Sequence, residues 1–319
     1  MDLTTNRIKS IFRNTLQHFV VLVFLCVFVN QSAYSRDSLN IAVLLPESSP
    51  AHHRLYQVII KGMQVHDNVV INQKQFSRQT DTQQLSDWVI EQNSHAVVIL
   101  GKSGVTLSRK LKLNIPVVTG AHILAPDNHS SVSLAADPVQ MFQRLKQLSP
   151  SIRRVFVIHN EANTGWLIRV GEKVARQLGL QFEQLEIDSP DDVRPVVTRL
   201  HERAEQGRDA LWLPLDPAVP TSIVLPNLLK VAWQKELIIF GNNPLDVKKG
   251  ILFAMYPDYT SMGKQLLAMV QARIKGVDAV RPEASIYLKM AVNNRTASHL
   301  GITLAPALLE QINLLYPRR

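Results

Sequence analysis

The sequence predicts two doubly wound α/β lobes, and three observations carry the prediction. Short, unbroken apolar runs alternate with amphipathic stretches. That alternation passes through the chain twice. Polar clusters recur where an apolar run hands over to the next amphipathic stretch. A strand that is apolar throughout is buried on both faces, which means parallel strands covered by helices. Two such series in 319 residues make two lobes of ordinary size.

The elements follow in order. LNIAVLLP (39–46) reads as a strand, residues near 52–66 as a helix, and NVVINQKQF (68–76) as a partly alternating strand. DTQQLSDWVIEQ (81–92) reads as a helix that Asp81 can cap. HAVVILG (95–101), a helix from about 104, IPVVTGA (115–121) and a short strand SSVSLA (130–135) continue the rhythm. The second series opens with RRVFVIHN (153–160) and the helix GWLIRVGEKVARQLG (165–179). QFEQLEID (181–188), a helix near 190–206, DALWLPLD (209–216) and a helix near 220–234 come next. LIIFGNN (237–243) leads through a short helix to ILFAMYP (251–257) and the helix YTSMGKQLLAMVQARIKG (259–276).

Composition excludes several classes. With 46% apolar and 19% charged residues the chain buries a sizeable core and is not a disordered polymer. Its formal net charge is +9, but Lys and Arg are dispersed with no run of five, so they read as solvated faces and no nucleic-acid partner is expected. Arg7, Lys9 and Arg13 precede the apolar HFVVLVFLCVFV (18–29), and Ala33 and Ser35 offer a small-x-small cleavage site. That is the pattern of a secretory signal peptide over 1–35, with a mature chain from Arg36. Cys26 is the one cysteine and falls inside this segment, so neither a disulfide framework nor a thiol nucleophile is expected of the mature chain.

From about Pro116 onward the sequence resembles the ABC-transporter substrate-binding proteins that include tryptophan- and tyrosine-type members. RRVFVIHNEANTG (153–165) looks like that family's strand and polar turn, and ALWLPLDPAV (210–219) resembles its DALLVPPDPTV phrase. GILFAMYPDYTSMGKQLLAMVQARIKG (250–276) and VNNRTASHLGITLAPALL (292–309) are similar to its long closing phrases. The resemblance implies a type I periplasmic binding protein: two Rossmann-like lobes, a multi-strand hinge and an interlobe ligand cleft. It places the N-terminal lobe at 36–136 plus about 257–286 and the C-terminal lobe at 137–256 plus about 287–319, with crossings near Ala136, Tyr256 and Tyr287. The N-terminal lobe departs from the family pattern at RLYQVIIKGMQV (54–65), GKSGV (101–105) and VTGAHIL (118–124).

Ligands of open α/β sheets bind beyond the carboxyl ends of the strands, so the polar clusters there supply the candidates. Ser103 and Gly104 of GKSG offer N–H donors to an anion, although the segment is too short for a phosphate loop. Asn160, Asn163 and Thr164 can bond a ligand or cap the following helix, and Asn242 carries the same ambiguity. Asp216 is placed to pair with a ligand ammonium, its bland alternative being a turn before Pro217. In YPDYTS (256–261), Asp258 reads as a helix cap, while Tyr259 offers a hydroxyl or a ring face. His52 and His53 are adjacent and point apart on a helix, so no metal site is expected, and neither a cofactor nor an enzyme activity. The resemblance implies a monomeric periplasmic protein that closes on a small ligand, an amino acid or similar small anion, and delivers it to an ABC permease in the inner membrane. The alternative is a sensory accessory protein that presents its ligand to a membrane receptor.

Overall fold

The computed structural model describes residues 38–123, 130–277 and 281–317, so the expected signal segment and Cys26 lie outside the described residues. Two sheets organise the rest. The first contains β1 (Leu39–Pro46), β2 (Val69–Phe76), β3 (Ala96–Leu100), β4 (Val117–His122), β5 (Ser130–Ala136) and β11 (Pro282–Ser285), in the order β11-β5-β4-β3-β1-β2. The second contains β6 (Arg154–His159), β7 (Gln181–Glu186), β8 (Asp209–Leu213), β9 (Ile238–Gly241), β10 (Phe253–Pro257), β12 (Leu288–Asn293) and β13 (Leu314–Tyr316), in the order β13-β12-β10-β9-β8-β6-β7.

Both sheets are covered on both sides, and the two-residue period of their central strands shows it. In β1, Ile41, Val43 and Leu45 face α1 (Pro50–Met63) and α9 (Tyr259–Ile274). The alternate residues Ala42 and Leu44 face α2 (Thr82–Glu91) and α3 (Lys102–Ser108). In the second sheet Val155, Val157 and Trp212 meet α4 (Pro138–Leu148) and α5 (Glu161–Gln177). Phe156, Ile158, Leu211 and Leu213 meet α6 (Val193–Arg203), α7 (Thr221–Lys235) and α8 (Pro244–Lys249). Short helices α10 (Asn294–His299) and α11 (Pro306–Leu309) follow β12. Trp212 is fully buried and meets Phe142 edge-on at 5.2 Å, a geometry that contributes about 0.5–1.5 kcal/mol beyond area burial.

One strand departs from the all-parallel expectation. β10 ends at Pro257 where the chain leaves for the first sheet, and β12 starts at Leu288 where it returns. A strand entering from the end at which its neighbour left must run antiparallel to it, and Pro257 pairs with Leu288. The chain passes between the sheets three times: from Ala136 to Asp137, from Pro257 to Asp258, and from Ser285 to Leu288. These passages are bonded to one another. Asp137 N–H donates to the Ser285 carbonyl at 3.0 Å and Asp258 N–H to the Tyr287 carbonyl at 2.9 Å. Gln265, buried on α9, donates to the Ala284 carbonyl at 3.0 Å and accepts from Ile286 N–H at 3.2 Å.

Candidate functional site

The carboxyl ends of β6 and β8 are joined by one carboxylate. Asp216, 5% exposed, accepts Asn160 N–H at 2.7 Å and the Thr164 hydroxyl at 2.5 Å on Oδ2. On Oδ1 it accepts Asn163 Nδ2 at 3.0 Å and Ala218 N–H at 2.9 Å. β6 and β8 are neighbours in the sheet, which brings residues more than fifty positions apart into one loop cluster. Asp216, Asn160, Asn163 and Thr164 are therefore one unit.

This geometry bears on two expectations. Both Asp216 oxygens are engaged by protein donors, so the residue holds its own loops together. Asn163 and Thr164 do not lie in a loop. α5 begins at Glu161, and both Asn163 N–H and Thr164 N–H donate to the Asn160 carbonyl, at 3.1 and 3.0 Å. Glu161 in the first turn favours this early start through the helix dipole. Asn160 does not cap with its side chain, which donates instead to the Ile187 carbonyl at 2.9 Å.

At the next strand end, Asn242 is 3% exposed and donates to the Met255 carbonyl at 3.3 Å, while its Oδ1 has no hydrogen-bond partner in the protein. A buried unsatisfied carbonyl costs about 1–3 kcal/mol, so this oxygen is a local cost to the fold. Asn243 caps α8 by accepting Leu245 N–H at 3.1 Å.

In the first sheet, Ser103 lines a cavity of about 770 Å³ at the carboxyl ends of β1, β2 and β3. Gly104 does not. Its N–H donates to the Gly101 carbonyl at 3.0 Å, and it is buried against Ile99, so it has no donor for an anion. Tyr259 begins α9 and packs, partly buried, against the core of the first sheet. Burial raises its hydroxyl above the ordinary tyrosine value. Asp258 caps α9 through Ser261 N–H at 2.9 Å and pairs with Lys289 Nζ at 2.8 Å. Burial pushes its carboxyl up, but the Lys289 ammonium and the Ser261 N–H together hold it below the ordinary value.

The VTGAHIL departure has a local geometry. The register between β4 and β5 shifts between Gly120 and His122, and Ala121 adopts φ 56° in the left-handed region. A bulge of this kind re-aims the strand end, and it sits at the carboxyl end of the sheet. His122 is buried beside it and bonds the Thr119 hydroxyl at 2.9 Å.

Sequence reasoning did not single out Gln265, Lys289, or the cavity residues Arg78, Lys102 and Lys110. Their polar character was legible, but their convergence depends on contacts across separate elements. Among the described residues no group of three metal-ligating side chains exists.

Two α/β sheets, three bonded crossings and polar loops at the strand ends define a bilobal type I binding-protein fold. The chain belongs to the ABC transporter substrate binding protein family, whose pattern it matches over residues 40–313. Among solved structures it is similar to an ABC domain in complex with L-Trp from Streptococcus pneumonia (19% identity, 87% of this chain and 99% of that one, TM-score 0.53). It is also similar to the ligand-free, open form of a Clostridium difficile substrate binding protein with adhesive properties (17% identity, 88% and 99%, TM-score 0.59). A conserved domain protein from Vibrio cholerae matches at 18% identity, 87% and 99% coverage and TM-score 0.52. No curated protein sequence matches the chain significantly. Members of this family are generally non-enzymatic and typically extracytoplasmic. No helix among the described residues is long and apolar enough to cross a membrane.

Proposed function

We propose that this protein is the periplasmic solute receptor of an ABC-type uptake system, and that it closes its two lobes on a small ligand. The observation that carries the reading is the set of three short crossings between sheets whose strand ends bear polar loops. Such crossings let two rigid lobes rotate while the loops stay ordered. The Asp216 cluster supports this role by fixing the β6 and β8 loops. The N-terminal segment supports export by a cleaved signal peptide, and the family supports an inner-membrane ABC permease as partner.

Purification of the exported chain from periplasmic extract, followed by denaturation and mass spectrometry of the released small molecules, tests the reading. One solute in near-stoichiometric amount is the expected result. A chain that carries no solute, and that gains no thermal stability from a broad panel of amino acids, sugars and organic anions, would overturn it.

A further inference from the structure

We infer that the cavity on the first sheet takes the anionic part of the ligand, and that the ligand is a small solute bearing at least two carboxylate or phosphate groups. This rests on the solute-binding reading above and names the class of solute. The cavity lies at the carboxyl ends of β1, β2 and β3, and its volume of about 770 Å³ is in the range of small-molecule sites.

Three cations meet there. Arg78 comes from the loop after β2, and Lys102 and Lys110 come from α3 and the residues just beyond it. Lys102 and Thr106 lie four residues apart on one face of α3, Lys110 follows in the turn just beyond it, and all three line the cavity. Among the described residues none of these three cations is ion-paired. Glu47 is the one acid in the lining. Lysines on an ordinary solvated helix face would point outward independently. Here, by contrast, they border one cavity with an arginine from a different element.

The remaining lining suits the same ligand. Thr80 and Thr106 line the same cavity, and the buried side chains of Phe76 and Leu107 give it an apolar part. The loop that carries Arg78 is tied down by Ser77 N–H donating to Thr80 Oγ1 at 2.8 Å. Three positive charges against one carboxylate repel one another until an anion enters, and charge-assisted hydrogen bonds to carboxylate or phosphate are about twice as strong as neutral ones. Glu47 leaves room for one hydroxyl or ammonium on the same solute.

The test uses the exported chain, stripped of solute by unfolding and refolding, in calorimetric titrations with citrate, pyrophosphate and L-Trp. Citrate or pyrophosphate is expected to bind at least roughly tenfold more tightly than L-Trp and to weaken as salt rises. Preference for citrate assigns carboxylates, and preference for pyrophosphate assigns phosphates. The triple variant R78Q/K102Q/K110Q should lose roughly a hundredfold or more in affinity for the preferred anion, while Lys235→Gln, a single remote charge change, leaves it unchanged. Tighter binding of L-Trp, or an unaltered anion affinity in the triple variant, overturns the anion assignment and leaves solute binding intact. Failure of both anions to bind at millimolar concentration also overturns it. The identity of a co-purified solute then decides the solute-binding reading separately.

Discussion

Asp216 and Thr164 share a 2.5 Å hydrogen bond in a site where both side chains are almost fully buried. The bond ties the turn after β8 to the first turn of α5, and Asn160 N–H and Asn163 Nδ2 complete the tie. Replacing Asp216 by Ala strands these donors in a dry site. The expected cost is about 3–5 kcal/mol, the range for removing a charged partner from a buried network. Thr164→Val should cost less, about 1.5–3 kcal/mol, because it removes one donor and leaves the rest of the network in place. Urea unfolding of both single variants and the double variant measures this. Additive losses would show that the two residues act independently.

A second prediction concerns the crossing of α1 and α9. Gly62 and Gly263 face the partner backbone there: a Cβ on Gly62 would run into the Thr260 carbonyl, and one on Gly263 into the Ile59 carbonyl. Backbone on both sides leaves no flexible atom to yield. Gly62→Ala and Gly263→Ala are each expected to cost about 1–3 kcal/mol or more through forced separation of the helices. Gly276→Ala, at φ 68° with nothing within 4 Å, should cost only the left-handed penalty of about 1 kcal/mol. Thermal melts in which all three variants fall equally would refute the packing account.

The architecture was legible because parallel strands covered on both faces need unbroken apolar runs, and runs such as LNIAVLLP and HAVVILG have no other compact use. The helix α4 was not read from the sequence, although Met141, Phe142, Leu145 and Leu148 fall on one face and are buried. Strand ends told where a site belongs but not which groups are already engaged. Asp216 looked available because its partners lie more than fifty residues upstream and meet it only through the pairing of β6 with β8. Gly104 looked like a donor because its bond to Gly101 belongs to a helix that begins two residues earlier than the pattern suggested. The three cavity cations read as scattered surface charge for the same reason: their convergence is tertiary.

The Asp258–Lys289 pair gives a pH prediction. It links the residue that opens α9 to the strand that follows the third crossing, at 2.8 Å. Asp258 has its folded-state pKa below the ordinary value, because the lysine and the cap bond outweigh the opposing effect of burial. A depressed carboxyl contributes stability that is fully present above the unfolded pKa of about 3.9 and is lost as pH falls through the folded value. Lys289 is nearly half exposed, so solvent screening limits the pair to about 0.5–1 kcal/mol. Lys289→Met should therefore lower stability at pH 7 and 5 by that amount, and the gap to wild type should close as the pH falls below 4. Unfolding curves that stay the same distance apart from pH 7 to pH 3 would rule the pair out as the cause.

The final prediction concerns lobe closure. A solute held by loops of both sheets contacts more groups when the lobes approach, so it must shift the population toward the closed form. The three crossings set where the chain bends. Asp137 and Asp258 are bonded to the third crossing through Ser285 and Tyr287, and Gln265 grips that crossing at Ala284 and Ile286. Ile286 and Tyr287 are about half exposed, so this passage is the least buried of the three. Rotation should concentrate at residues 286–287, with the sheets moving as rigid bodies. Small-angle scattering of the exported chain is expected to give a smaller radius of gyration when the co-purified solute is added back. Gln265→Leu should loosen the third crossing, broaden the unliganded distribution and weaken solute binding, because part of the binding free energy then goes into ordering the hinge. Micromolar binding with an unchanged scattering curve would mean that the lobes are fixed, and the solute would then be held by one lobe alone.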